Sequence, residues 1–82
     1  MHPGEMLLEE FLKPLGMTQV DAAQRMGMSV NRVNELIRGK RGVTADTALR
    51  LAKLVKTSPE FWMILQAGWD LYHAKRALAA RG

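Results

Sequence analysis

Apolar residues in this chain recur at helical spacing, and nowhere do they alternate as a strand requires. Leu7, Leu8, Phe11, Leu12 and Leu15 share one face of a first predicted helix that begins at Pro3 or Gly4. Proline is tolerated in a first turn, and Glu5 there meets the positive end of the helix dipole. Pro14 and Gly16 end it. Thr18 caps a second helix with Val20, Ala23 and Met26 turned inward, and Gly27 supplies the turn that follows. Met28 plugs the core and Ser29 caps a third helix, with Val33, Leu36 and Ile37 inward and Gly39 at its close. Thr44 caps a fourth, in which Ala48, Leu51, Ala52 and Val55 form one stripe. Ser58, Pro59 and Glu60 start a fifth helix over about 58–80, with Phe61, Trp62 and Leu65 in the core. The connections are short, no repeat or low-complexity tract intervenes, and the pattern predicts an all-α chain folded as a single domain over 1–82.

Length and composition narrow the chemistry. A chain of 82 residues has a marginal core, so part of its stability is expected from pairing. It contains no cysteine, which removes disulfides, thiolate metal sites and a cysteine nucleophile and fits a cytoplasmic location. No signal peptide or membrane span is expected, because Glu5, Glu9 and Glu10 interrupt the early apolar residues. The net charge of +4 is unevenly placed. Between positions 29 and 57, Arg32, Arg38, Lys40, Arg41, Arg50, Lys53 and Lys56 face only Glu35 and Asp46, whereas residues 1 to 28 are weakly acidic.

That basic third coincides with a helix, glycine turn and helix from Thr18 to about Gly39, the arrangement that presents one helix to a DNA major groove. Base edges are read by side chains near the N-terminus of such a helix. With Val33, Leu36 and Ile37 assigned to the core, the outward set is Val30, Asn31, Arg32, Asn34 and Glu35. Asparagine pairs bidentately with adenine, arginine addresses guanine, glutamate accepts from cytosine and valine touches a thymine methyl. Thr18, Gln19 and Ser29 stand at helix N-termini, where free amides suit a phosphate. Arg38, Lys40 and Arg41 follow directly and suit backbone phosphates. Each residue taken alone is equally consistent with a solvated surface; their clustering on one motif carries the DNA-binding reading.

Other classes fit less well. His2 and His73 lie far apart in no acid–base or metal-ligand spacing, so neither an enzyme nor a metal or cofactor site is expected, and His73 is read as a surface residue. A membrane-surface role for the basic tail with its Trp and Tyr is weakened by Asp70 and the alanine-rich end. RNA binding lacks an exposed aromatic platform. Trp69, Tyr72 and Leu78 lie late in the fifth helix and are candidates for a two-fold homodimer interface, which on a palindromic operator spaces recognition helices by about 34–36 Å.

The segments HPGEMLLEEFLKPLGMTQ, NRVNELIRGKRGVTADTALRLAK and TSPEFWMILQAGWDL together resemble the Xre/Cro-type helix-turn-helix proteins and, more narrowly, the HigA (VapI-type) antitoxin family. The resemblance implies a five-helix, lambda-repressor-like DNA-binding fold. It further implies an antitoxin that represses its own operon and neutralises a HigB-type, mRNA-cleaving toxin. The third helix matches the family's operator-reading helix and RGKRG its basic turn, whereas Ala22 stands where the family usually has leucine. A toxin leaves Glu5, Glu9 and Glu10 as an acidic patch to meet a basic partner, against the alternative of a solvated helix face. A stand-alone Xre-type regulator with no toxin partner is the competing assignment.

Overall fold

The computed structural model describes residues 1–81 and contains five helices with no strand among them. Helix α1 is a continuous run made of Pro3–Met6, a π-helical stretch Leu7–Leu12 and Lys13–Leu15. Then follow α2 (Gln19–Met26), α3 (Val30–Ile37), α4 (Ala45–Val55) and α5 (Pro59–Ala80). The capping chemistry is as the sequence predicts. Thr18 and Asp21 form a reciprocal capping box on α2, with bonds of 3.0 and 3.3 Å. Ser29 accepts from Arg32 N, Thr44 from Thr47 N and Ser58 from Phe61 N, at 3.2, 3.3 and 3.1 Å. Gly27, at φ 67°, makes the left-handed turn between α2 and α3 that a residue with a Cβ resists.

The wide turn in α1 was not predicted, and Pro14 accounts for it. Proline has no N–H to offer the carbonyl of Glu10 and its ring crowds that carbonyl, so the preceding turn opens. Lys13 N–H reaches back five residues to the Leu8 carbonyl. The extra residue shifts the phase: Leu7 and Leu12 are fully buried, Leu8 and Phe11 half-buried, and Leu15 is 60% exposed rather than inward. Val20 also departs from expectation, being 62% exposed. The buried positions of α2 are Ala22, Ala23 and Met26, and at 3.6 residues per turn Val20 stands about 110° round from their midpoint.

Trp62 is completely buried at the centre of the core, among Leu7, Leu12, Ala22, Met26, Leu36, Ala48, Leu51 and Val55. Its indole N–H donates to Thr57 Oγ1 at 2.7 Å, which satisfies the polar edge of a buried ring. Phe11, Phe61 and Leu65 pack around that core as half-buried residues. Ile37, Ala52 and Met28 are likewise half-buried, at the edges of their helices. Helix α5 is held by its first half only: from Leu71 onward every described residue is exposed, and the molecule measures 45 × 22 × 22 Å. No described helix is long and apolar enough to cross a membrane.

Candidate nucleic-acid interface

The outward face of α3 begins at its N-terminus. Val30 is 45% exposed, and Asn31 and Arg32 are exposed beside it, one after the other on the first turn. Asn34 is different. Its Nδ2 donates to Gln19 Oε1 at 3.1 Å across the two helices, so this half-buried amide braces α3 against the start of α2. The bond leaves the Gln19 amide N–H₂ free to donate outward, at the end of α2 where unpaired backbone amides also lie. The Thr18 and Ser29 hydroxyls are occupied as caps, which fixes where each helix begins.

Past α3 the backbone closes in a Schellman motif: Lys40 N–H bonds to Glu35 O at 2.8 Å and Gly39 N–H to Leu36 O at 3.1 Å, with Gly39 at φ 74°. The motif sets Arg38, Lys40 and Arg41 on an exposed turn at the end of the helix. Arg41 folds back to pair with Glu35 at 3.1 Å, so Glu35 is not a free acceptor. Among the described residues Arg32, Arg38 and Lys40 have no salt-bridge partner and keep their charge for an external anion. Arg50, by contrast, is a structural cation. It pairs with Asp46 at 2.9 Å and its Nη1 donates to the Met26 carbonyl at 2.6 Å, which clamps the end of α2 at the glycine turn.

Three contacts that position α3 escaped the sequence reading. Gly4 approaches its C-terminal end so closely that a Cβ there would lie 1.8 Å from Leu36 O. Gln66 is buried, accepts from Val43 N at 2.7 Å and donates to Asp70 Oδ1 at 3.0 Å, so α5 holds the loop that follows the basic turn. His2 is buried with its Nδ1 accepting from Gly4 N at 2.9 Å and its ring edge-on to Trp69 at 4.9 Å. Burial holds the His2 pKa below its ordinary value of 6.5; Asp70 and Glu5 pull it back up and the chain N-terminus pushes it down. The only legible signal was the clustering of small and polar residues at positions 2 to 5.

The remaining predicted residues fall elsewhere. Glu5, Glu9 and Glu10 are exposed on α1, with Glu9 paired to Lys13 at 3.0 Å. Trp69 is half-buried between His2 and His73, Tyr72 is 55% exposed with Arg76 over its ring, and Leu78 is 72% exposed. His73 lies on the surface, as expected.

A helix-turn-helix family model matches residues 8–62, from within α1 to the first turn of α5. Virulence-associated protein I of Dichelobacter nodosus is 42% identical over 76 residues, covering 93% of this chain and 70% of that protein. Antitoxin HigA-1 of Vibrio cholerae is 44% identical over 73 residues, covering 88% of this chain and 68% of its own length. The chain belongs to the HigA (VapI-type) helix-turn-helix family. The fold agrees: the structure of Pseudomonas aeruginosa antitoxin HigA with the higBA promoter superposes at a TM-score of 0.94, with 37% identity, covering 99% of this chain and 88% of that one. This HigA-family chain thus has the five-helix, lambda-repressor-like architecture that its sequence implies.

Proposed function

We propose that this HigA-family chain is a sequence-specific DNA-binding repressor and the antitoxin of a HigBA-type toxin–antitoxin system, acting as a homodimer on a palindromic operator. The observation that carries the reading is the first turn of α3, where Val30, Asn31 and Arg32 stand exposed on a braced helix. A neighbour with the same fold is described with its promoter DNA. In this assignment Asn31 and Arg32 read base edges and Val30 contacts a methyl, in the roles their chemistry allows. Asn34 and Glu35 serve first to hold Gln19 and Arg41 in place and touch DNA from those positions. Gln19, Thr18 and Ser29 sit beside phosphates with the helix N-termini, and Arg38, Lys40 and Arg41 neutralise the backbone.

The toxin partner is inferred from the family. The acidic edge of Glu5, Glu9 and Glu10 on α1 suits a basic protein and lies apart from the α3 surface chemistry, so one chain can hold both partners. The protein acts in the cytoplasm by binding, without catalysis or cofactor. Trp69, Tyr72 and Leu78 place self-association on α5.

Fluorescence anisotropy with the DNA upstream of the reading frame, against scrambled duplex and over a range of salt, tests the assignment. Selective, salt-dependent binding that is lost in the Asn31→Ala/Arg32→Ala variant is expected. Equal, weak binding to every duplex would refute it.

A further inference from the structure

The proposed dimer requires a face, and the geometry points to one that Trp69 does not share. Ile64, Leu71 and Leu78 stand seven residues apart on α5, with Ala67 and Ala74 three residues after the first two. All five are exposed, the large ones by 70%, 59% and 72%. A seven-residue repeat of large residues with a second apolar position three further on is the pattern of a helix that packs along another helix. The stripe runs for about 21 Å at 1.5 Å per residue, and no charge stands on it from Ile64 to Leu78.

At its N-terminal end the stripe opens into an apolar groove of about 590 Å³ between α4 and α5. Ala45, Ala48 and Ala67 line it with small side chains, while Leu49, Met63 and Ile64 stand beside them. One continuous face therefore carries both projecting and recessed apolar residues. A two-fold contact must be self-complementary, since the same patch meets itself, and large residues set among alanines meet that condition. Charge argues the same way. A basic toxin or a phosphate backbone gains nothing from an uncharged stripe, and the acidic and basic edges of the molecule lie elsewhere. An exposed apolar helix end of this length is a surface that another protein covers.

We infer that the α5 stripe Ile64–Leu71–Leu78, continued by the Leu49–Met63 groove, is the surface on which a second copy of this chain docks. Trp69 is on another side of the helix, committed to His2 and His73, and acts inside each subunit. Leu78 belongs to the stripe and Tyr72 borders it. This inference rests on the homodimer proposed above and names its interface.

Sedimentation velocity and equilibrium on the full chain test it, using wild type, Leu71→Glu, Ile64→Glu and, away from the stripe, Arg76→Glu, with far-UV circular dichroism as the folding check. Ile64 and Leu71 are exposed within each subunit, so their variants are expected to fold. The wild type and Arg76→Glu are expected to sediment as dimers at micromolar concentration. Each stripe variant is expected to weaken association about 100-fold, tenfold for each of the two copies altered. A dimer that survives both stripe variants would overturn this interface while leaving the dimer itself intact. So would dissociation by Arg76→Glu to the same degree. A wild type that is monomeric at those concentrations would overturn the dimer and the interface together.

Discussion

The same substitution, glycine to alanine, is expected to act in opposite directions at two positions of this chain. At Gly4 a Cβ would lie 1.8 Å from Leu36 O, 2.5 Å from Leu36 C and 2.8 Å from Ile37 Cα. Close carbon–oxygen contacts settle at about 3.3 Å, so α1 and α3 must part by about 1.5 Å. The obstacle is backbone on both helices and no side chain can rotate away. Overpacking typically costs about 1–3 kcal/mol, and the cost here falls at or above the top of that range, near 3 kcal/mol. For a domain of this size that lowers the melting temperature by about 12–24 °C. At Gly68, in the middle of α5, the added Cβ meets nothing within 4 Å. Helix propensity then decides, and alanine gains about 1 kcal/mol, or about 4–8 °C. Thermal melts of both variants, followed by circular dichroism at one protein concentration, measure the pair. A Gly4→Ala protein that melts within about 2 °C of wild type, well inside the shift expected from that cost, would refute the close approach of α1 to the recognition helix.

Other consequences follow from the supports around α3. Gln66→Leu leaves the buried Val43 N–H without its acceptor and is expected to cost about 1–3 kcal/mol in urea unfolding, with faster hydrogen exchange at Val43. His2 has a folded pKa below 6.5, so the unfolded chain takes up the proton first. Its contribution to stability is therefore expected to fall as pH drops from 6.5 to the lowered value and to level off below it, and His2→Ala should remove that dependence in melts across pH. Arg38→Ala and Lys40→Ala are each expected to reduce the slope of log affinity against log salt on operator DNA by about 0.9. An unchanged slope would show that neither neutralises a phosphate.

What the sequence made legible was local. Thr18, Ser29, Thr44 and Ser58 mark where α2 to α5 begin because capping depends on residues within one turn. The outward set on α3 followed from which residues the core claims, and Val33 and Leu36 are buried as that required. Ile37, counted with them, is only half-buried at the last turn of its helix. Long-range contacts were not legible. Nothing in the local pattern of position 66 announces that Gln66 serves the backbone of Val43, 23 residues away. Arg50 was counted with the basic surface although its guanidinium closes α2, and Asn34 with the base readers although it braces Gln19. Leu15 and Val20 failed for a different reason. Their apolar character fits the helical period, but the wide turn before Pro14 displaced one and the narrow buried arc of α2 excluded the other.

The central claim is that the first turn of α3 reads base edges in the major groove. Replacing individual operator purines by their 7-deaza analogues removes only the N7 acceptor that bidentate arginine and asparagine contacts use. Binding of each modified operator would be measured with wild type and with the Asn31→Ala and Arg32→Ala variants. We expect particular substitutions to weaken wild-type binding about tenfold or more, and the same substitutions to have no further effect on the variant that has lost the matching side chain. Operators whose 7-deaza forms bind wild type and both variants with unchanged ratios would contradict the assignment of Asn31 and Arg32 to the bases.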